Sequence, residues 1–155
     1  MRQYYSYADF RQDALALAKQ IEQDFKPQAI IAILRGGMTL AHFLGLYWDI
    51  KEVYAINASS YNRERTQGTL EISNVPTLPA QHQCVLVVDE IVDSGKSFLG
   101  VMDILQKQYP HVCFKSAVLF AQKSARYQAD FVLKEAKCWI DFFWEVDLQG
   151  GSLAP

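Results

Sequence analysis

Several things are scarce in this chain, and each scarcity excludes something. It has no basic surplus: 15 lysines and arginines stand against 17 acidic side chains, a formal charge of -2. No broad positive field is available to collect a nucleic-acid backbone, so nucleic acid is not expected as a partner. Cysteine is scarce too. Cys84, Cys113 and Cys138 are odd in number and far apart, and two of them sit beside apolar strand-like stretches. Buried thiols are therefore expected, rather than disulfides or zinc ligands. His42, His82 and His111 lack the close spacing that would put two imidazoles on one metal, so surface or packing roles are expected for them. No apolar run reaches the length of a bilayer, and the start "MRQYYSYADF" lacks the basic-then-apolar order of a secretory signal, so a cytoplasmic protein without a membrane segment is expected.

What the chain does have is apolar content, half of its 155 residues. That is enough to bury one core and too little for two, so a single domain is expected. From Tyr7 to Phe25, apolar residues recur three or four apart (Phe10, Ala14, Leu17, Ala18, Ile21, Phe25), the spacing of one helical face. "AIIAIL", 29 to 34, is a short continuous apolar run that suits a strand covered on both faces. "RGG" turns the chain, and "MTLAHFLGLYWDI" predicts a second helix. The alternation continues with "VYAINASSY" (53–61), "CVLVVDE" (84–90), a helical "SFLGVMDILQKQY" (97–109) and "KSAVLFA" (115–121). These segments predict a parallel α/β sheet. The polar run from 62 to 83 is long for a simple connection and is expected to be a functional loop. "FVLKEAKCWIDFFWEVDL", 131 to 148, has no clear helical period and is expected to form short strands capping the sheet. The tail "LQGGSLAP" reads as loose.

Where the apolar runs stop, the residues change character: Arg35-Gly36-Gly37, Ser59-Ser60-Tyr61, "VVDEIVDSGKS" and Gln122-Lys123-Ser124. In an open parallel sheet these points share the carboxyl edge, where such folds bind ligands. The Gly-Lys-Ser turn is not a Walker A loop, because the position that needs the first glycine is Glu90. What remains is a strand entering a helix through Asp93, Ser94, Gly95, Lys96 and Ser97. Its backbone N–H groups and hydroxyls can surround a phosphate monoester. An ordinary helix cap is the competing explanation. Asp89 and Glu90 favour the first, since adjacent acids at a strand mouth need donors or a cation. Ribose hydroxyls and a divalent cation would supply both.

At this point the residues carry a family likeness. "VLVVDEIVDSGKS" resembles the signature of the type I phosphoribosyltransferases. "LRGG" is similar to that family's pyrophosphate loop, "SSY" to the start of its mobile catalytic loop, and "WIDFFWE" to its purine-binding hood. Length and hood resemble the small bacterial xanthine-guanine and hypoxanthine branch. The resemblance implies a single-domain α/β fold of phosphoribosyltransferase type, with a parallel sheet, a mobile loop at roughly 59–75 and a small C-terminal hood at roughly 131–148. It also implies an Mg²⁺-dependent purine-salvage glycosyltransferase that moves ribose 5-phosphate from phosphoribosyl pyrophosphate to a 6-oxopurine (guanine, xanthine or hypoxanthine), releasing pyrophosphate.

Roles follow from the same resemblance. Asp93 is the catalytic acid at purine N7. Asp89, Glu90, Asp93, Ser94, Gly95, Lys96 and Ser97 bind the phosphoribosyl group, while Arg35 and Gly36, with Gly37, bind pyrophosphate. Ser60 and Tyr61 belong to the mobile loop, in which Arg63 and Arg65 are within reach of pyrophosphate without an assignment between them. Lys123, Trp139 and Ile140 bind the base. Asp89, Glu90 and Glu145 are the metal candidates, two of them glutamates where the family more often has aspartate. The family also implies a homo-oligomer. The alternative is a non-catalytic phosphoribosyltransferase-like regulator that binds the sugar pyrophosphate or a nucleotide; Asp93, Arg35 and the hood favour chemistry.

Overall fold

The structure, a computed structural model, describes residues 1–61 and 67–149. Arg63, Arg65 and the tail from 150 lie outside the described residues. In chain order the elements are β1 (Arg2–Tyr5), α1 (Tyr7–Glu22), β2 (Ala29–Leu34), α2 (Met38–Tyr47), β3 (Val53–Tyr61), β4 (Gln67–Ser73), β5 (Cys84–Val92), α3 (Lys96–Gln108), β6 (Cys113–Ala121), β7 (Phe131–Glu135), β8 (Trp139–Phe142) and α4 (Phe143–Val146), followed by a 3₁₀ turn over Asp147–Gln149.

The central sheet has the order β4-β3-β2-β5-β6-β7 and is parallel except for β4. The continuous apolar runs are explained by what covers them. In β2, Ile30 and Ala32 join the core beneath α1 and α2, while Ala29, Ile31 and Ile33 join the core beneath α3. A strand buried on both faces has no solvent side and so shows no alternation. Helix α1 starts at a capping box, in which the Ser6 hydroxyl accepts from the Asp9 N–H and the Asp9 carboxylate accepts from the Ser6 N–H. Its inner face buries Phe10, Leu17 and Ile21 completely, each such side chain contributing about 1.5–3 kcal/mol. The polar residue on that face, Asp13, accepts from Tyr5 Oη at 2.7 Å and from Lys134 Nζ at 2.8 Å, which ties α1 to β1 and β7.

Three expectations change. Part of the long polar run is a strand: β4 pairs antiparallel with β3, from Asn57 opposite Ser73 to Tyr61 opposite Gln67. Its Leu70 and Ile72 pack against Gly100 of α3. The 131–148 segment divides in two, with β7 extending the central sheet and β8 pairing in parallel with the N-terminal β1. The hood is therefore built from both ends of the chain. The thiols are free, as expected, but Cys113 is exposed and Cys84 and Cys138 are only half-buried. Cys84 and Cys113 begin β5 and β6 and Cys138 lies in the connection before β8; only Cys84 packs against the core. His82 is a packing histidine paired with Glu52, whereas His42 and His111 are exposed. Among the described residues, no helix is long and apolar enough to cross a membrane.

Candidate active site

Strands β2, β3, β5 and β6 run parallel, so the residues following them meet at one edge. The chain goes from β2 outward to β3 and then returns to β5 on the other side of β2. This reversal opens a crevice beyond the ends of β2 and β5. Arg35-Gly36-Gly37 occupies one lip and Asp89 to Ser97 the other.

The loop from β5 into α3 turns on a glycine. Gly95 sits at φ +87°, and a Cβ there would lie 2.5 Å from the backbone nitrogen of Tyr127, so only glycine allows this approach. It is the N-cap of α3 and has no side chain with which to cap the helix. Within the loop the Lys96 N–H donates to Ser94 Oγ at 3.3 Å, and the Arg126 N–H holds the Ser94 carbonyl at 2.9 Å. Ser94, Gly95 and Ser97 line a cavity of ≈ 290 Å³ whose other walls include Ser60, Asp89, Glu90 and Asp93. Lys96 contributes its backbone to this loop, but its side chain turns away and its Nζ donates to the Gly68 carbonyl on β4 at 3.3 Å.

The acids are in electrostatic conflict. Asp89 is held well above the usual carboxylate range, first by burial, then by the charge of Glu90, with Glu145 adding to it; a hydrogen bond from the Glu90 N–H at 2.8 Å opposes the shift. Glu145 is pushed up by burial and by Glu90, against the pull of Arg35. Glu90 Oε2 is buried without a hydrogen-bond partner among the described residues. It lies so close to the Arg35-Gly36 turn that a Cβ on Gly36 would sit 1.7 Å from it. Hard oxygen donors, one of them orphaned, fit Mg²⁺. Among the described residues no three His, Cys, Asp or Glu side chains form a group that could hold a metal ion, so Asp89, Glu90 and Glu145 are not a ligand set together; an ion here would be met by one or two carboxylates, with water and ligand phosphates completing its shell.

A second cleft, ≈ 180 Å³, shares Glu90, Ile91 and Asp93 with the first and is closed by Trp139, Ile140 and Glu145. Trp139 is 62 % exposed, while Ile140 is buried. Arg35 and Gly36 line a larger cavity of ≈ 610 Å³ together with Trp139 and Glu145, and the peptide between Leu34 and Arg35 is cis. The segments drawn together by sequence, 35–36, 60, 89–97 and 139–145, thus share one connected rim.

Lys123 does not join them. Its side chain is exposed and points at Glu135, with Nζ 3.3 Å from Oε2. The residue from that loop that lines the cleft is Gln122, whose backbone N–H is fixed to the Val92 carbonyl at 2.9 Å. Gln122 directly follows β6, whereas Lys123 begins the turn that leaves the strand, and that turn carries its side chain away from the cleft. Arg2 and Asp141 were also not expected at the rim. They form a two-bond pair, Nε to Oδ2 at 2.9 Å and Nη2 to Oδ1 at 2.5 Å, on the hood beside Trp139. No local pattern could reveal a pair 139 residues apart in the chain.

A serine- and glycine-lined loop at the switch point of a parallel sheet, an acid pair and an aromatic hood meet at one site. Comparison with known proteins names the class: residues 2–150 match the phosphoribosyl transferase domain family, and the chain belongs to that family. More particularly, it is similar to a solved Helicobacter pylori xanthine-guanine-hypoxanthine phosphoribosyltransferase, with 51% identity, a TM-score of 0.90 and coverage of 96% of this chain and 97% of that one. It is 29% identical to the xanthine-guanine phosphoribosyltransferase of Cereibacter sphaeroides over 151 residues, 93% of this chain and 87% of that protein. A purine phosphoribosyltransferase from Pyrococcus horikoshii shares the fold at 23% identity with a TM-score of 0.81, covering 93% of this chain and 94% of that one.

Proposed function

We propose that the chain transfers the 5-phosphoribosyl group of phosphoribosyl pyrophosphate to a ring nitrogen of a 6-oxopurine, releasing pyrophosphate, and so serves purine salvage. The observation that supports this reading is the position of Asp93, on the wall common to the cavity lined by Ser94, Gly95 and Ser97 and the cleft lined by Trp139. A residue there reaches sugar and base at once.

The 5-phosphate lies on the first turn of α3 with the hydroxyls of Ser94 and Ser97, where backbone N–H groups and the helix dipole favour an anion. Asp89 and Glu90 accept from the ribose hydroxyls, which relieves their mutual repulsion. The bond from the anomeric carbon to pyrophosphate breaks as the bond to the base nitrogen forms. Arg35 and the amides of Gly36 and Gly37 stabilise the charge that develops on the departing pyrophosphate. Of the three metal candidates Asp89, Glu90 and Glu145, which do not form a three-ligand group together, Glu90 with its partnerless Oε2 is the residue that would meet Mg²⁺, which when bound would supply further neutralisation of the pyrophosphate. Asp93 manages the proton at purine N7. Trp139 stacks on the base and the Ile140 backbone meets its exocyclic edge. Ser60 and Tyr61 begin the segment that keeps water from the activated sugar. Gln122 takes the base-edge role expected of Lys123. The proposal includes a cytoplasmic location and a homo-oligomer, for which the exposed Leu15, Leu46 and Tyr47 of α1 and α2 offer an apolar face.

The test is nucleotide formation from guanine, xanthine, hypoxanthine and adenine with Mg²⁺ and phosphoribosyl pyrophosphate. Nucleotides from 6-oxopurines are expected; turnover of no base, with sugar pyrophosphate still bound, would remove the proposal. Within the same assay Lys123→Ala is expected to leave kcat/KM for hypoxanthine within about twofold. Gln122→Leu should lower it roughly tenfold, the loss of one hydrogen bond at a base edge.

A further inference from the structure

Trp139 raises a physical problem. An indole that is 62 % exposed is not held by packing, and a side chain free among rotamers must give up that freedom when a ligand stacks on it. The hood supplies the missing restraint from the other end of the chain. In the parallel β1–β8 pair, Arg2 stands opposite Trp139 and Tyr4 opposite Asp141. Residues two apart share a strand face, so the Trp139 and Asp141 side chains leave the same side of β8.

Three contacts then close a triangle. The Trp139 Nε1–H donates to Asp141 Oδ1 at 3.1 Å. The Arg2 guanidinium donates to both oxygens of Asp141, at 2.9 and 2.5 Å. The guanidinium carbon lies 5.6 Å from the Trp139 ring centroid, within cation–π range. The triangle also has a side. Trp139 lines both the ≈ 180 Å³ cleft that contains Asp93 and the ≈ 610 Å³ cavity beyond it, whereas Arg2 and Asp141 line only the second. The pair therefore stands behind the ring as seen from the cleft.

We propose that Arg2 and Asp141 are positioning residues that act through Trp139, locking its indole as a preformed wall of the base cleft so that the base does not have to order it on binding. This rests on Trp139 being the base platform, as proposed above. The arrangement uses properties particular to arginine: the planar fork engages both carboxylate oxygens while its face remains on the ring, and an ammonium cannot do both. Arg2 is open to solvent while Asp141 is half-buried, so the pair's effect is modest; because its printed bonds run only within the pair and to Trp139, the effect is expected on the base, although both residues share the larger cavity with Arg35 and Gly36.

Steady-state kinetics of the full chain test it. Arg2→Ala and Asp141→Asn are each expected to raise KM for hypoxanthine roughly three- to tenfold with kcat and KM for phosphoribosyl pyrophosphate within about twofold. Arg2→Lys should not restore the wild-type value. In a Trp139→Leu background, Arg2→Ala should add nothing, the non-additivity expected of a residue that works through another. Three results would overturn the positioning role: an unchanged base KM in both single variants, a parallel rise in KM for the sugar pyrophosphate, or the same rise persisting without the indole. The platform assignment is decided separately by Trp139→Leu alone. If that variant raises the base KM and Arg2→Ala does not, the positioning role fails while the platform stands. If Trp139→Leu leaves the base KM unchanged, both fall.

Discussion

Asp89 is a carboxyl that the fold makes uncomfortable. Burial and the charges of Glu90 and Glu145 hold its pKa well above the ordinary value, so between the ordinary value and the raised one the folded chain binds a proton that the unfolded chain has lost. Stability in that interval falls as pH rises. The strain is fully present above the raised pKa and absent below the ordinary carboxylate range. Asp89→Asn should therefore melt higher than the wild type at pH 7 to 8 without ligand, by roughly 2–5 °C, the shift that about 1 kcal/mol makes in a domain of this size. The difference should close below about pH 4, where both side chains are neutral. Thermal melts across pH check this; an unaltered pH profile would show that Asp89 is not under strain. The same scale explains one misplaced assignment. Lys123 and Gln122 are adjacent, and a linear reading favours the charged one. The turn that follows β6 leaves the amide on the cleft and sends the ammonium to Glu135.

Among the elements, the β5–loop–α3 unit was the most legible. Its apolar run, paired acids and glycine turn are contiguous, so their spacing in the chain is close to their spacing in space. Gly95 is the hinge of that unit. At φ +87°, with a backbone nitrogen 2.5 Å from where a Cβ would stand, Gly95→Ala should cost about 1–3 kcal/mol of stability. It should also weaken sugar-phosphate binding more than base binding, as measured by denaturant melts and by separate ligand titrations. A variant with wild-type stability and affinity would mean that the loop does not require this conformation. β4 was less legible. It is an edge strand with polar residues along most of its length, and its two inward apolar side chains, Leu70 and Ile72, make a pattern too short to separate from a loop. β1 was missed altogether, because four residues carry no period and its partner β8 lies at the other end of the chain.

For the whole molecule, the two cavities and the hood meet at charges that the protein leaves unbalanced, so ligand should stabilise it more than a neutral cleft would. Mg²⁺ with phosphoribosyl pyrophosphate is expected to raise the melting temperature by several degrees at saturating concentration, since binding to the folded state alone adds about 2.7 kcal/mol at a hundredfold excess over Kd. Chelation of the metal should reverse most of the gain. A rise that chelator leaves intact would remove the metal from the acid cluster. No similar gain is expected in Asp89→Asn, where one of the opposed charges is already gone.

By itself the sequence determined β2, β3, β5 and β6, the three helices between and before them and the parallel sheet they make, and it brought the glycine turn and the paired acids to the carboxyl edge. All of these depend on residues near one another in the chain, where backbone geometry and apolar periodicity act. Tertiary structure alone decided which residue of an adjacent pair lines the cleft, that β1 completes the hood, and that Arg2 and Asp141 pair beside Trp139. Those outcomes depend on strand register and on contacts between distant segments, which are set when the sheet closes and buried faces choose their partners.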